Sequence, residues 1–300
     1  MPSRPTISVV IPSYNAAPYL AETLHSVFGQ TYPVHEIIVV NDGSTDKTEE
    51  VLRSYSDKIL IVKQENVGEG ASRNAGIERS TGDWVAFLDA DDIWHPTKLE
   101  RQVTLLNSRS DLVCIHTWFY SFGTQNEERP VPREILREKY DIETLICHAL
   151  VLPSSAMVRR SLQLRFLPWR VISIDMIYFA ELSQMGRFAC VLEPLVGWRK
   201  HPQSMTKQAG NWVRSIETRL RWIEEEFDPD SKEHLKRQLF LSVINQTEVS
   251  RWNRDWSRYW VLRKYLKRAW PWPEEGFPGI TSETIYPPWV YRFKDVIERY

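Results

Sequence analysis

The sequence predicts an α/β fold: a Rossmann-like, mostly parallel central sheet flanked by helices, with a C-terminal helical extension. Three observations predict it. Four short β-rich runs between residues 7 and 88 alternate with stretches of helical periodicity. The runs are apolar on both faces, as in strands covered above and below, so the links between them read as crossovers in a parallel sheet. From residue 211 onward the chain turns helical and rich in Trp, Arg and Glu, and most of its 13 tryptophans lie beyond residue 165.

The elements follow in order. Residues 7–11 form a buried strand that ends at Pro12. Leu20, Leu24, Val27 and Phe28 recur at helical spacing and give one apolar stripe to a helix starting near Pro18. Residues 36–40 form the second strand, and Asn41, Asp42, Gly43 and Ser44 supply turn chemistry. Asp46 with Glu49 three residues on resembles a capping box opening a helix through Tyr55. Residues 59–62 form a third strand, 68–78 a glycine-started helix and 84–88 a fourth strand. Beyond them, 96–106 reads as helix, 112–122 as strand, 123–133 as a polar loop, 173–185 as helix and 188–192 as strand. In parallel sheets the ligand sits at the carboxyl ends of the strands. Pro12-Ser13-Tyr14-Asn15, the Asn41 turn and Asp89-Ala90-Asp91-Asp92 each follow a strand, so all three are expected to converge on one edge.

Composition narrows the function. A formal net charge of -1 over 300 residues gives no basis for general nucleic-acid binding. Cys114, Cys147 and Cys190 are unclustered and odd in number, which argues for reduced thiols rather than a disulfide framework. The N-terminus lacks the apolar core of a signal peptide, and no apolar run approaches the ~20 residues that span a bilayer. The expectation is a cytoplasmic protein, with peripheral contact at the inner face of the membrane through residues 251–268. That segment interleaves Trp252, Trp256, Tyr259 and Trp260 with seven basic residues and one acidic residue. It reads either as an interfacial helix on anionic lipid or as an amphipathic helix packed on the catalytic domain.

Asp89, Asp91 and Asp92 repel one another unless a cation sits among them, and hard oxygen ligands suit Mn²⁺ or Mg²⁺. The other reading is a solvated loop and helix cap. Asp42 reads as a ligand for a base or ribose, or as an Asx-turn. Arg73 lies on a small-residue helix that lets a ligand approach closely, or else faces solvent.

Four segments in order carry a resemblance. They are residues 9–15 (VVIPSYN), 38–46 (IVVNDGSTD), 65–76 (from Glu65-Asn66-Val67-Gly68 to Ala71-Ser72-Arg73-Asn74-Ala75-Gly76) and 87–92 (FLDADD). Together they resemble glycosyltransferase family 2, the inverting nucleotide-sugar glycosyltransferases of GT-A fold. The resemblance implies a GT-A domain over 1–208, with a nucleotide-binding half (1–110) and an acceptor half (111–208), followed by the extension over 209–300. It implies that Pro12, Ser13 and Tyr14 line the nucleotide pocket and that Asp42 holds the base, typically uracil. Arg73 faces the nucleotide, and Asp89 and Asp91 form the DXD motif, with Asp91 the direct metal ligand and Asp89 nearer the sugar or ribose. Asp175 matches the catalytic base, although Ile174 replaces the usual acidic neighbour. An N-cap is its other reading, and Glu181 is the fallback base. Arg199 and His201 match the late Arg-x-His segment near the diphosphate. The function implied is metal-dependent transfer of a sugar, from UDP by expectation, to a glycan or glycolipid in cell-surface polysaccharide or lipopolysaccharide synthesis. A polyprenyl-phosphate sugar synthase and a non-catalytic nucleotide-sugar-binding protein are the alternatives; a nucleotidyltransferase is disfavoured because Pro12-Ser13-Tyr14-Asn15 is not a Gly-rich phosphate loop.

Overall fold

The structure is a computed structural model that describes residues 4–107, 109, 111–124, 140–168, 172–202, 204 and 209–269. Ile7, Val9, Val10 and Ile11 are wholly buried, as the two-sided apolar run requires, in β1 (Ile7–Ser13). The chain continues through α1 (Leu20–Phe28), β2 (Glu36–Asp42), α2 (Thr48–Arg53), β3 (Leu60–Gln64), α3 (Glu69–Arg79) and β4 (Trp84–Phe87). Then come β5 (Ile93–Trp94), α4 (Lys98–Asn107), β6 (Leu112–Gly123), α5 (Ile142–Cys147), β7 (Met157–Arg159), α6 (Ile174–Ser183) and β8 (Arg187–Lys200). Helices α7 (Ala209–Glu226), α8 (Pro229–Trp252) and α9 (Trp256–Ala269) complete the described chain.

The eight strands form one sheet in the order β3-β2-β1-β4-β7-β6-β8-β5. β3, β2, β1 and β4 are parallel to one another, β6 is parallel to β8, and the short β7 and β5 pair antiparallel with their neighbours. The strand order reverses at β1, with β2 on one side and β4 on the other. That switch point opens a crevice at the carboxyl ends of the strands. One apolar core runs from Ile7 and Val9 through Phe179 and Phe188 to Ile216, Trp222, Leu239, Val243, Leu262 and Leu266, so α7 to α9 pack into the same interior as the sheet.

Helix α3 lies very close to β1. A Cβ on Gly76 would come within 2.2 Å of Val10 Cγ1. Gly76→Ala is therefore expected to destabilise the fold by about 1–3 kcal/mol through overpacking. Urea denaturation measures this, and an unchanged midpoint would refute it.

Several sequence expectations need correction. α2 opens on Lys47 with no side-chain cap, and Glu49 does not reach back to Asp46. Glu49 pairs outward with Arg53 and Lys63, while Asp46 accepts from the backbone N–H of Thr48 at 2.9 Å and of Ala17 at 3.2 Å. β8 is far longer than residues 188–192, because it passes through Pro194 at a register irregularity opposite Trp118. A proline tolerated at a bulge hid that continuity. Phe28 leaves the α1 stripe and is 37% exposed. The 251–268 segment is not one helix: α8 ends at Trp252, Arg254 takes a left-handed φ of 56°, and α9 starts at Trp256. Residues 125–133 of the predicted loop and 270–300 of the extension lie outside the described residues.

Candidate active site

The crevice is built by loops that fasten to one another. Asn15, at φ 49°, accepts from the backbone N–H of Thr45 at 2.8 Å, and its own N–H donates to Ser44 Oγ at 3.0 Å. The loops after β1 and β2 are thereby joined. Tyr14 follows β1 at the switch point and is 50% exposed, while Pro12 is partly buried and Ser13 is buried with its hydroxyl unpartnered among the described residues.

Asp42 is buried, and its carboxylate organises the next wall. Oδ1 accepts from Gln64 Nε2 at 2.7 Å and the Val67 N–H at 2.9 Å; Oδ2 accepts from the Gly68 N–H at 2.9 Å. Those bonds fix the turn that starts α3, where Gly68 sits at φ 102°. Asp42 is thus more than a local Asx-turn: its donors lie more than 20 residues downstream.

The acidic loop after β4 is tied down from three sides. Thr23 Oγ1 of α1 donates to the carbonyls of Ala90 at 2.9 Å and Asp92 at 2.8 Å. Ser154 Oγ accepts from the Asp89 N–H at 3.0 Å and donates to Asp92 Oδ2 at 2.6 Å. The Arg199 N–H donates to Asp92 Oδ1 at 2.9 Å, and Arg199 Nε donates to the Asp91 carbonyl at 2.6 Å. Asp92 is therefore an internal strut. Burial, with Asp91 and Asp89 beside it, pushes its carboxyl well above the usual range. Asp89 and Asp91 instead remain about one-third exposed, at 29% and 34%.

Arg73 is the hub. It is buried, not solvent-facing, and its Nη2 donates to Asp89 Oδ1 at 2.7 Å. Glu69, one turn earlier on α3, lies 3.5 Å from the same Nη2. Nε and Nη1 find no hydrogen-bond acceptor among the described residues; the guanidinium carbon lies 5.3 Å from the centroid of the Phe166 ring, which supplies a cation–π partner. Asn74, the next residue, grips the Phe166 backbone through both amide atoms, at 2.7 and 2.8 Å.

That grip brings α6 to the cluster. Phe166 stacks on Tyr178 of α6 at 3.9 Å between ring centroids. A Cβ on Gly70 would meet Ile174 Cδ1 and the Leu167 carbonyl, each at 2.6 Å. Ile174 is thus buried against α3, and Asp175, in the first turn of α6, lies in the field of Arg73 and Asp89. Burial raises its carboxyl above the usual range, while Arg73 and the Met176 N–H oppose the rise. Burial likewise raises Glu69, to about 7, with Arg73 opposing and Asp89, Asp175 and Asp91 adding to the rise. Glu181 faces elsewhere, accepting from the Trp222 indole at 3.0 Å.

His201 Nε2 lies 2.9 Å from Asp91 Oδ2, and its ring sits 4.7 Å from that of Tyr19. Arg199 reaches past the loop to Glu22 at 2.6 Å and lies over the Phe122 ring. The structure thus joins Arg73 to Asp89 and His201 to Asp91 by direct contacts, with Asp175 in the field of Arg73 and Asp89. Arg199 serves the loop backbone, and Asp42 the wall.

Among the described residues no three His, Cys, Asp or Glu side chains form a ready metal cluster. The donor set nonetheless fits a hard divalent cation. Burial and Asp89 raise the Asp91 carboxyl, opposed by His201, the one side chain among the described residues that hydrogen-bonds to it. A cation relieves that repulsion, and Mn²⁺ or Mg²⁺ commonly takes one or two carboxylates plus substrate phosphates.

Two residues of the site, Glu69 and Ser154, were not expected from the sequence. Glu69 carried a signal, its i,i+4 spacing to Arg73. Ser154 carried none, because Pro153-Ser154-Ser155 reads as an ordinary turn.

A doubly covered, largely parallel sheet with an acid-rich edge at its switch point defines a GT-A protein, the architecture of nucleotide-sugar glycosyltransferases. The chain belongs to glycosyl transferase family 2, whose model matches residues 8–164. It is 47% identical over 103 residues to an uncharacterized glycosyltransferase of Rickettsia typhi, covering 34% of this chain and 32% of that one. It is 44% identical over 111 residues to the putative teichuronic acid biosynthesis glycosyltransferase TuaG of Bacillus subtilis, covering 36% of this chain and 44% of that one. The match thus spans less than half the length of either relative. In fold it is similar to residues 1–349 of S. aureus TarS in complex with UDP-GlcNAc, with a TM-score of 0.63 and 18% identity over 80% of this chain and 73% of that one. It is also similar to the mannosyltransferase PcManGT of Pyrobaculum calidifontis in complex with GDP-Man and Mn2+, with a TM-score of 0.61 and 17% identity over 91% and 78%.

Proposed function

We propose that this chain transfers a sugar from a nucleoside diphosphate donor, a UDP-sugar first, to a hydroxyl of a glycan or glycolipid, with inversion and with a divalent cation. The observation that carries the reading is the gathering of Asp89, Asp91 and Asp175 around buried Arg73, beside exposed Tyr14 at the switch point. The UDP-GlcNAc and the GDP-Man with Mn2+ in the similar structures support the donor class and the metal. The similarity to TuaG, a putative teichuronic acid biosynthesis glycosyltransferase, supports a polysaccharide acceptor.

In this mechanism Pro12, Ser13 and Tyr14 line the nucleotide pocket, with the Tyr14 ring offered to the base, and Asp42 holds the wall behind it. Arg73 fixes Asp89 toward the sugar or ribose. Asp91, with Asp89 beside it, would hold Mn²⁺ or Mg²⁺, which would supply charge neutralisation for the leaving diphosphate. His201 orients Asp91, and Arg199 fixes the loop that carries it. Asp175 takes the proton of the acceptor hydroxyl as that oxygen attacks the anomeric carbon. The bond to the diphosphate oxygen breaks on the opposite side, which inverts the configuration. A screen of UDP- and GDP-sugars for Mn²⁺-dependent release of the nucleoside diphosphate tests this. Nucleotide binding with no release from any donor would favour the non-catalytic alternative.

A lipid-linked acceptor, as in a polyprenyl-phosphate sugar synthase, is favoured by one observation. In α9, Tyr259, Leu262 and Leu266 face the core, while Trp260, Lys264, Lys267 and Arg268 share an exposed face. Trp252, 75% exposed at the end of α8, and Arg254 lie just before it. An aromatic among cations suits anionic headgroups at the inner face of the membrane. No helix among the described residues is long and apolar enough to cross one. Sedimentation with phosphatidylglycerol vesicles is expected to carry the protein down, and the Trp260→Ser/Lys264→Ser/Lys267→Ser variant to stay in solution. Equal sedimentation of the two would remove the surface from the account.

A further inference from the structure

We propose that helix α7 of the C-terminal extension positions the catalytic base: Ser215 and Arg219 hold the start of α6, and with it Asp175. The proposal rests on the reading of Asp175 as the base.

Ser173 immediately precedes α6 at φ 66°, a left-handed conformation uncommon for serine. Such a conformation persists where its surroundings fix it. Its hydroxyl does not cap the helix it precedes; it lies 2.5 Å from Ser215 Oγ on α7. Arg219, one turn further on, donates from Nε to the Ser215 carbonyl at 3.0 Å and from Nη2 to Ser215 Oγ at 3.2 Å. A guanidinium only donates, so Ser215 Oγ accepts from Arg219, and its second lone pair and its own proton leave either hydroxyl able to donate in the contact with Ser173. The remaining arm, Nη1, donates to the Ile146 carbonyl near the end of α5.

Arg219 is 3% exposed and forms no ion pair among the described residues. A buried cation without a partner is costly unless hydrogen bonds and a nearby opposite charge compensate it. Asp175 is the carboxylate whose field it feels. The first turn of α6 is thus gripped on two sides. Gly70 of α3 admits Ile174 on one, and α7 holds Ser173 on the other. Asp175 follows directly, so both grips set where its carboxylate points. Among the described residues neither Ser215 nor Arg219 forms a hydrogen bond or ion pair with Asp89, Asp91 or Asp175, which makes them positioning residues and not catalytic ones.

The test compares full-length wild type with Ser215→Ala and Ser215→Thr, using Arg219→Lys as a second probe of the same grip. Hydrogen exchange over residues 173–179 needs no substrate. Ser215→Ala is expected to exchange there on the order of fivefold faster, with α3 unchanged and Ser215→Thr like wild type. With UDP-GlcNAc and Mn²⁺ as the probe, kcat for UDP release is expected to fall roughly 10- to 100-fold at unchanged KM. The same substitution on an Asp175→Ala background is expected to cost nothing further. Unchanged exchange over 173–179, unchanged kcat, or an equal loss on the Asp175→Ala background each overturns the proposal. Faster exchange in Ser215→Ala, with full turnover in Asp175→Ala, leaves the grip standing and removes Asp175 as the base.

Discussion

Asp91→Ala is expected to lower nucleotide-sugar turnover roughly 100- to 1,000-fold while leaving the fold intact. The side chain is one-third exposed at the crevice, and its only side-chain hydrogen bond among the described residues is to His201. The loop around it is held by other groups: Thr23 on the carbonyls of Ala90 and Asp92, Ser154 on Asp89 and Asp92, and Arg199 on the backbone. Removing the Asp91 carboxylate therefore takes away a charge and not a strut. Thermal melting is expected to be near wild type. Near-full activity of Asp91→Ala with saturating Mn²⁺ would show that the cation is held elsewhere. Asp92→Ala makes the contrasting case: it removes the buried strut between Ser154 and Arg199, so stability should fall before chemistry is tested.

Asp175→Ala is expected to reduce kcat by ~10²–10⁴-fold, the usual contribution of a positioned base, with little change in nucleotide-sugar affinity. The base must be ionised to accept a proton. Burial, the largest influence, raises the Asp175 carboxyl above the ordinary carboxylate range despite Arg73. Activity should accordingly be lost as pH falls, through a midpoint higher than that of an exposed aspartate. A kcat profile of wild type at saturating Mn²⁺ measures that limb. Unchanged turnover in Asp175→Ala would remove it as base, whatever the profile shows.

The parallel half of the fold was legible in the sequence because its signals are local. Two-sided apolar runs gave β1, β2 and β4, and the polar clusters after them gave the edge. β8 was cut short because Pro194 looks like a terminator, and only pairing with β6 shows that it sits at an irregularity. The two-residue β5 and three-residue β7 are too short to leave a pattern. In the site, the residues that follow strands could be placed from sequence alone. The Arg73 environment could not: its burial depends on Asn74 gripping Phe166, a contact spanning 92 residues. The isoleucine before Asp175 was the least expected residue in the pattern. Gly70 gives it a physical place, since the missing Cβ makes room for its side chain against α3.

The most direct test of the central assignment is calorimetric titration of wild type and Asp91→Ala with UDP and with GDP, each with and without Mn²⁺. One nucleotide is expected to bind wild type, Mn²⁺ to tighten this binding, and Asp91→Ala to lose the tightening. Binding of neither nucleotide, or an undiminished effect of Mn²⁺ in Asp91→Ala, would contradict that assignment.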